Sequence, residues 1–459
     1  MRLLKIIFCI VVLACFVAPA ADAQFFSVCR DGSEDELVVD IITHSEHAWR
    51  MEKKITEYYY HQGKLHNELK KPIIDDVQNF LRRIEEKKST SSAVLFHAVD
   101  SERPNLCTWL ITPNSIVPHI TSVPEKEFIQ KLHSEVLDAL DVTRMAKGRA
   151  PIRRGVKQAQ LEAKHSQLSE KEALQQMRDL LIPEPIANAL HSEHIDTLVV
   201  VPIFGIGTYP FSAFEFQNSY LVDHMSVTIA PSFRIFTKDH KMAQQRYFSE
   251  PIIIGDPCNE SKCYDDPKWK FMPLNGARKE AIEVAKKFAN TEALVGLDAT
   301  RNRVQNILKD RSNTGLVYIA THGIADEKDP NDKSFLLLSD NRWTARQIYD
   351  DTKEAQLKSG FLVVMSACQT GLGKVFDVGN TGLTRAWHSA GASNVVMSLW
   401  NVDDDATRLL MTKFIEFAKE RPPDIALQRA MQEARKNDKY SRPAYWAGFN
   451  VFGSPEINR

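Results

Sequence analysis

The spacing of apolar positions changes character near residue 196. Before it, helical steps dominate. Trp49, Ile55, Tyr59, Leu65, Leu69, Ile73, Val77, Leu81 and Ile84 recur three or four residues apart, which predicts a helical hairpin over 45–87 broken near Pro72. Tyr58-Tyr59-Tyr60 reads as a core or interdomain contact. Ser92–His97 and Cys107–Thr112 read as two strands around a turn at Glu102-Arg103-Pro104, with helices following at 125–147 and 168–181. The stretch 148–168 is rich in Lys, Arg, Gln and Glu and holds Pro151 and Gly155. It reads as a solvated helix or exposed linker rather than a basic binding patch.

From residue 196 short Val- and Ile-rich runs alternate with helices. The runs are Thr197–Phe204, Ser226–Ala230, Pro251–Gly255, Gly315–Ala320, Gly360–Ser366 and Ser393–Leu399. Continuous rather than alternating hydrophobicity marks strands buried on both faces. Helices are predicted at Arg278–Phe288, at Arg301–Leu308 behind the capping stretch Asp298-Ala-Thr300, at Thr344–Gln356 and at Asp404–Glu420. The expected fold class is α/β, a mostly parallel sheet flanked by helices with a short helical N-terminal region.

Parallel strands joined by helices bring their C-terminal ends to one edge of the sheet, where ligands and catalytic groups gather. Three strand ends carry chemistry: the first runs into His322-Gly323, the second into Cys368-Gln369-Thr370-Gly371, the third into Trp400-Asn401-Val402-Asp403-Asp404. Neighbouring strands lie about 4.8 Å apart, so His322 and Cys368 can meet across the sheet. A thiol with an ordinary pKa near 8.5 is mostly protonated at neutral pH. A neighbouring imidazole raises its thiolate fraction or protonates a leaving amine. Glycines beside such a pair let backbone N–H groups approach an oxyanion. On spacing alone, an inert strand-end cysteine and a loop histidine remain the alternative. Cys258, Cys263 and His322 show no C-x-x-C ligand spacing, so neither a metal site nor a cofactor is expected.

The chain has 459 residues, with 58 Lys+Arg against 59 Asp+Glu. A net charge of -1 leaves no bulk positive field for a polyanion, which argues against nucleic-acid partners. No G-x-G-x-x-G follows a strand and no G-x-x-x-x-G-K-[ST] occurs, which lowers the reading as a nucleotide-binding doubly wound fold. At the N-terminus, Arg2 and Lys5 precede the apolar run Ile6–Ala18, and Ala21-Asp22-Ala23 fits a cleavage site. A signal peptide over 1–23 is expected, hence a secreted or periplasmic protein with no stable membrane span after cleavage. Removal of Arg2, Lys5 and Asp22 leaves a net charge of -2. Five of seven cysteines remain: Cys29, Cys107, Cys258, Cys263 and Cys368. The spacing of Cys258 and Cys263 permits a small loop disulfide, and Cys29 and Cys107 could pair.

Taken together, Ala320-Thr-His322-Gly323, Ser366-Ala-Cys368-Gln-Thr-Gly-Leu-Gly373, Ser398-Leu-Trp400-Asn-Val-Asp403-Asp404 and Tyr445-Trp-Ala-Gly-Phe449 resemble the CHAT-domain proteins. These belong to the caspase-like cysteine peptidase clan with separase, metacaspases and gingipains. Upstream pieces fit in the same order, among them Leu198–Pro202, Tyr209–Ala213, Ile254–Pro257, Leu274–Glu280 and Gly296–Thr300. The likeness is dense over 196–459 and thinner over 91–195, and it sets the expected organisation: signal peptide 1–23, helical region 24–90, an N-terminal part 91–195 and a catalytic domain 196–459.

The resemblance implies a caspase-like fold and a cysteine endopeptidase acting on protein or peptide. His322 would be the base or proton donor and Cys368 the nucleophile, with the N–H groups of Gly323 and Cys368 as oxyanion hole. Relatives that cut after basic residues carry an acid near the third strand end or just before the cysteine. Here Ser366 stands two before Cys368, and Asp404 is the candidate pocket acid, with Trp400 as a pocket wall. Asp403 or Asp404 could instead cap the following helix, and Trp400 could be core. The loop after the nucleophile, through Gly379-Asn-Thr-Gly382, is of the kind that orders or is cut on activation. The alternative is a non-proteolytic CHAT-fold module that binds a regulatory partner through its N-terminal helices. The chain departs from many relatives in having room for only one or two helical pairs, and in its expected export.

Overall fold

A computed structural model describes residues 74–99, 104–125, 127–140, 152–153, 168–201, 208–230, 248–259, 262–326, 329–366, 368–369, 382–400 and 402–454. The expected signal peptide, the aromatic run 58–60, most of the helical hairpin and the loop 370–381 lie outside them. Among the described residues, no helix is long and apolar enough to cross a membrane.

The strands are β1 (Ser92–Val99), β2 (Asn105–Ile111), β3 (Ile116–Ser122), β4 (Ile152–Arg153), β5 (Thr197–Val201), β6 (Glu215–Phe216), β7 (Ser219–Tyr220), β8 (Ser226–Ile229) and β9 (Ile252–Ile254). They continue with β10 (Trp269–Lys270), β11 (Leu316–Ile319), β12 (His322–Ile324), β13 (Phe335–Leu337), β14 (Arg342–Thr344), β15 (Leu362–Met365), β16 (Cys368–Gln369), β17 (Asn394–Ser398) and β18 (Phe449–Gly453). The helices are α1 (Ile74–Lys88), α2 (Phe128–Ala139), α3 (Glu170–Leu181), α4 (Glu184–Ser192), α5 (Asn275–Ala285) and α6 (Arg301–Asp310). After them come α7 (Ala345–Glu354), α8 (Leu383–Ser389), α9 (Asp404–Ala418), α10 (Pro423–Ala434) and α11 (Pro443–Trp446).

Ten strands form one sheet in the order β3-β2-β1-β5-β8-β18-β17-β15-β11-β9. Six of its nine pairings are parallel, and the antiparallel ones fall at β3/β2, β2/β1 and β18/β17. The six strands read from the sequence beyond residue 196 are all present, each fully buried along its length. No sheet boundary falls at 195/196: β1 pairs in parallel with β5, Val94 opposite Val199. β3 escaped the sequence reading because Pro118 interrupts it. Proline is tolerated there because β3 is the edge strand, where a missing N–H faces no further partner.

Alternation along β1 and β2 explains the two layers. Val94, Phe96, Trp109 and Ile111 face the apolar stripe Val77, Phe80, Leu81 and Ile84 of α1. Ala93, Leu95, Leu106 and Leu110 point the other way into the main core with α2, α3 and α4. Helix starts follow local chemistry. Thr300 accepts from the Arg303 N–H, and Thr344 with Gln347 forms a capping box.

Candidate functional site

β11 and β15 lie side by side with Ile319 opposite Met365. Both strands break after these residues and resume as β12 and β16 in a second sheet, ordered β14-β13-β12-β16. The register survives the break, so three residues on, His322 stands opposite Cys368, and Gly323 opposite Gln369. Thr321 in the break donates from Oγ1 to the Leu337 carbonyl at 2.9 Å and ties it to β13. Gly323 also pairs with Leu336 of β13. Two of the three predicted strand ends are thus neighbours through their backbones.

His322 is fully buried. Its Nε2 lies 2.6 Å from the Met272 carbonyl oxygen. A carbonyl only accepts, so Nε2 carries the proton, and the lone pair of the neutral ring is on Nδ1. Nδ1 is buried without a hydrogen-bond partner. Desolvation lowers the His322 pKa to about 4, outweighing the Met272 bond that raises it. The imidazole is therefore neutral at pH 7 with its basic nitrogen free. The Phe271 ring packs on it at 5.1 Å and meets Phe335 edge-to-face.

Phe271 and Met272 follow β10, which pairs antiparallel with β4. The stretch read as a solvated helix or linker thus contributes a strand. The loop leading to β10 is pinned by Asp266, fully buried, which accepts from Arg342 of β14 through two bonds, Nε at 2.5 Å and Nη2 at 2.6 Å. Cys258 and Cys263 in the same loop form a disulfide, as their spacing permits. Cys107 is disulfide-bonded too, while the expectation that Cys29 is its partner lies outside the described residues. The two loop sulfurs and a ring nitrogen of His322 all lie within 4.8 Å of one another.

The other pocket candidates come from three elements. Asp403 is the cap of α9 and accepts from the N–H groups of Asp405 and Ala406. Asp404 is the residue after the cap. Half-buried at the first position of α9, it lies against Gly276 of α5, where an added Cβ would sit 2.4 Å from the Asp404 Cβ. Beyond Gly276 on α5 stands Glu280, buried, accepting from the Tyr318 hydroxyl of β11 at 2.6 Å. Burial raises the Glu280 pKa to about 7, and the Asp404 and Glu283 charges add to the rise. Ser366 is buried, with its Oγ near enough to Glu280 and Tyr318 to shift their ionisation but not in hydrogen-bonding geometry. Trp400 is core-packed: its Nε1–H donates to the Ala444 carbonyl at 3.1 Å and its ring lies on Gly448.

Sequence reading left two of these groups without a role. Glu280 stood inside a quoted motif, but nothing in the spacing marks it as buried beside Asp404. The Met272 carbonyl has no side-chain signature at all.

Glu280 gives a testable pH dependence. Between its ordinary value of 4.5 and about 7 the folded state keeps a proton that the unfolded chain has released, so stability falls as pH rises through that window. The effect amounts to roughly 2–3 kcal/mol. The buried His97, His133 and His322, all lowered by desolvation, act in the opposite sense and lose stability as pH falls below 6.5. Glu280→Gln keeps an acceptor for Tyr318 and does not titrate. Urea unfolding at pH 5 and pH 8 should show the variant gaining that amount over wild type at the higher pH. Parallel curves would exclude the assignment.

Residues 171–454, well over half of the chain, match the family model of the CHAT domain. The chain belongs to the CHAT-domain family. This CHAT protein is 26% identical over 330 residues to tetratricopeptide repeat protein 28 of Homo sapiens, a match covering 62% of the chain and 13% of that protein. The Mus musculus protein of the same name is 24% identical with the same coverage. The chain therefore spans only a small part of the curated relatives it matches. Among solved structures it is similar to the Saccharomyces cerevisiae separase–securin complex, with a TM-score of 0.51 at 11% identity, covering 93% of this chain and 34% of that one. At that identity the likeness establishes the fold alone: the CHAT protein has a separase-like α/β architecture.

Proposed function

We propose that this CHAT protein is an exported cysteine endopeptidase. The observation that carries the reading is the unbroken register placing His322 opposite Cys368 at the C-terminal edge of two parallel strands. In the reaction, Nδ1 of His322 takes the thiol proton as the Cys368 sulfur attacks the scissile carbonyl carbon. The N–H groups of Gly323 and Cys368 receive the oxyanion. Nδ1 returns the proton to the departing amine, leaving a thioester that water hydrolyses with the same nitrogen as base. Donation from Nε2 to Met272 holds the ring in the tautomer that does this. Export to a secreted or periplasmic location is supported by the N-terminal apolar run and by the disulfides at Cys258–Cys263 and Cys107.

The burial of His322 favours a latent form, because no substrate reaches a fully covered base. The Phe271 ring packs over it and would have to shift on activation, which a regulatory protein could drive. The test is incubation of the purified chain, beside Cys368→Ala, with a proteome-derived peptide library, reading new N-termini by mass spectrometry. Cuts made by wild type alone are expected, at least after limited proteolysis. Their absence under every condition, with Cys368 reduced, would replace this reading with a non-proteolytic interaction module.

A further inference from the structure

We propose that Cys258, Cys263 and His322 form a redox-gated site for a thiophilic divalent cation of the zinc type, whose occupation takes the histidine out of catalysis. Only the last clause rests on the peptidase reading.

The donor set is the one such an ion selects: two thiolates and an imidazole, with a fourth position left for water. The cysteines are spaced C-x4-C, within the range of zinc loops, and the histidine arrives from β12. Their ligand atoms already lie within 4.8 Å of one another. In a tetrahedral site with bonds of about 2.0–2.3 Å, ligand atoms stand roughly 3.5–4 Å apart, so small shifts bring the three together. An independent feature points the same way. Metal-bound imidazoles nearly always donate their second ring N–H to a carboxylate or a backbone carbonyl. His322 already has this arrangement, Nε2 on the Met272 carbonyl and Nδ1 buried without a partner.

The disulfide is the other state of the same pair. An external dithiol transfers two electrons and two protons to it, becoming a disulfide itself, and leaves two thiols on this chain. The cation then displaces both thiol protons and binds the two sulfurs and the imidazole nitrogen. In the reverse exchange an external disulfide takes the two electrons, with two protons from water, and becomes a dithiol; the Cys258–Cys263 bond re-forms, the cation is ejected and His322 is freed.

The experiment uses the purified chain carrying Cys368→Ala, so that the nucleophile contributes no sulfur ligand. Cobalt(II) is the probe, because thiolate coordination gives it charge-transfer absorption. Oxidised protein should show none. After reduction with a phosphine, one equivalent of cobalt should bind with tetrahedral, thiolate-ligated absorption, and zinc should displace it. Cys263→Ser and His322→Ala should each weaken binding by at least the roughly 10–100-fold that loss of a mere outer-shell partner costs. Circular dichroism of the reduced proteins confirms that they stay folded. Reduced, folded protein without cobalt absorption, or affinity unchanged in His322→Ala, overturns the site. On the Cys368 background, zinc should inhibit reduced wild type far more tightly than reduced Cys263→Ser. Equal inhibition of the two would place the ion on the dyad alone and overturn the gating. A chain that binds cobalt as expected yet cuts no peptide leaves the site standing and removes only the catalytic consequence.

Discussion

Replacing Cys368 by alanine should lower kcat/KM for any cleaved peptide by on the order of 10⁴-fold or more, and replacing His322 should do nearly as much. The size follows from the cooperation of the pair: without the sulfur no acyl-enzyme forms, and without Nδ1 the thiol keeps its proton and the leaving amine gains none. The two changes should not add, because each disables the same step. Structural damage is the competing explanation for His322, since alanine would remove the hydrogen bond to the Met272 carbonyl and leave space where the buried imidazole packs against Phe271. His322→Gln answers it. A glutamine amide keeps a donor for Met272 and much of the volume, but offers no base. It should melt close to wild type and remain inactive. The pH profile adds a second reading. The burial that holds the imidazole neutral down to about 4 is lifted when the base is uncovered, so the acid limb of kcat/KM in the activated enzyme should lie above that value, toward the ordinary histidine value of 6.5. Full activity in Cys368→Ala, or in both His322 variants, would end the dyad assignment.

Much of this site was legible because it is built from strand ends. A run such as Leu362–Met365, apolar on both faces, declares a central strand, and the crossover rule then fixes the edge on which its end lies. What periodicity could not supply was the break between Ile319 and His322, which moves His322 and Cys368 onto a second small sheet. Three-residue strands such as Phe335–Leu337 have no period to read. Their pairing is decided by contacts between segments far apart in the chain, with Phe271 packed on both Phe335 and His322. Cys258, Cys263 and His322 could be named together from the sequence but were set aside on spacing, because their approach within 4.8 Å depends on packing between a loop and a distant strand. Asp403 and Asp404 show the limit at single-residue scale. Either could cap α9 by sequence, and only the backbone reveals that Asp403 does.

That division of labour between two adjacent acids sets up the second large effect. Peptides with Arg or Lys before the scissile bond should be the preferred substrates, and Asp404→Asn should reduce kcat/KM for them by about 10²–10³-fold while leaving cleavage after apolar residues little changed. A partly buried carboxylate facing a guanidinium or ammonium is worth roughly 2–5 kcal/mol when one partner is removed. Ser366, two residues before Cys368, supplies no charge of its own, so the acid must come from α9 or α5. Glu280 stands behind Asp404 with its pKa at about 7, held up first by burial and then by the Asp404 charge. A substrate cation would favour its ionised form, so the preference for Arg and Lys should sharpen as pH rises through 7, and Glu280→Gln should flatten that rise without abolishing cleavage. Gly276→Ala checks the geometry from the other side. Its methyl would collide with Asp404 at 2.4 Å and push the carboxylate aside, lowering cleavage after basic residues in the same direction as Asp404→Asn but by less. If library cuts fall after apolar residues, or Asp404→Asn changes all substrates alike, the carboxylate belongs to the helix start, where a first-turn acid favours the positive end of α9 and nothing more.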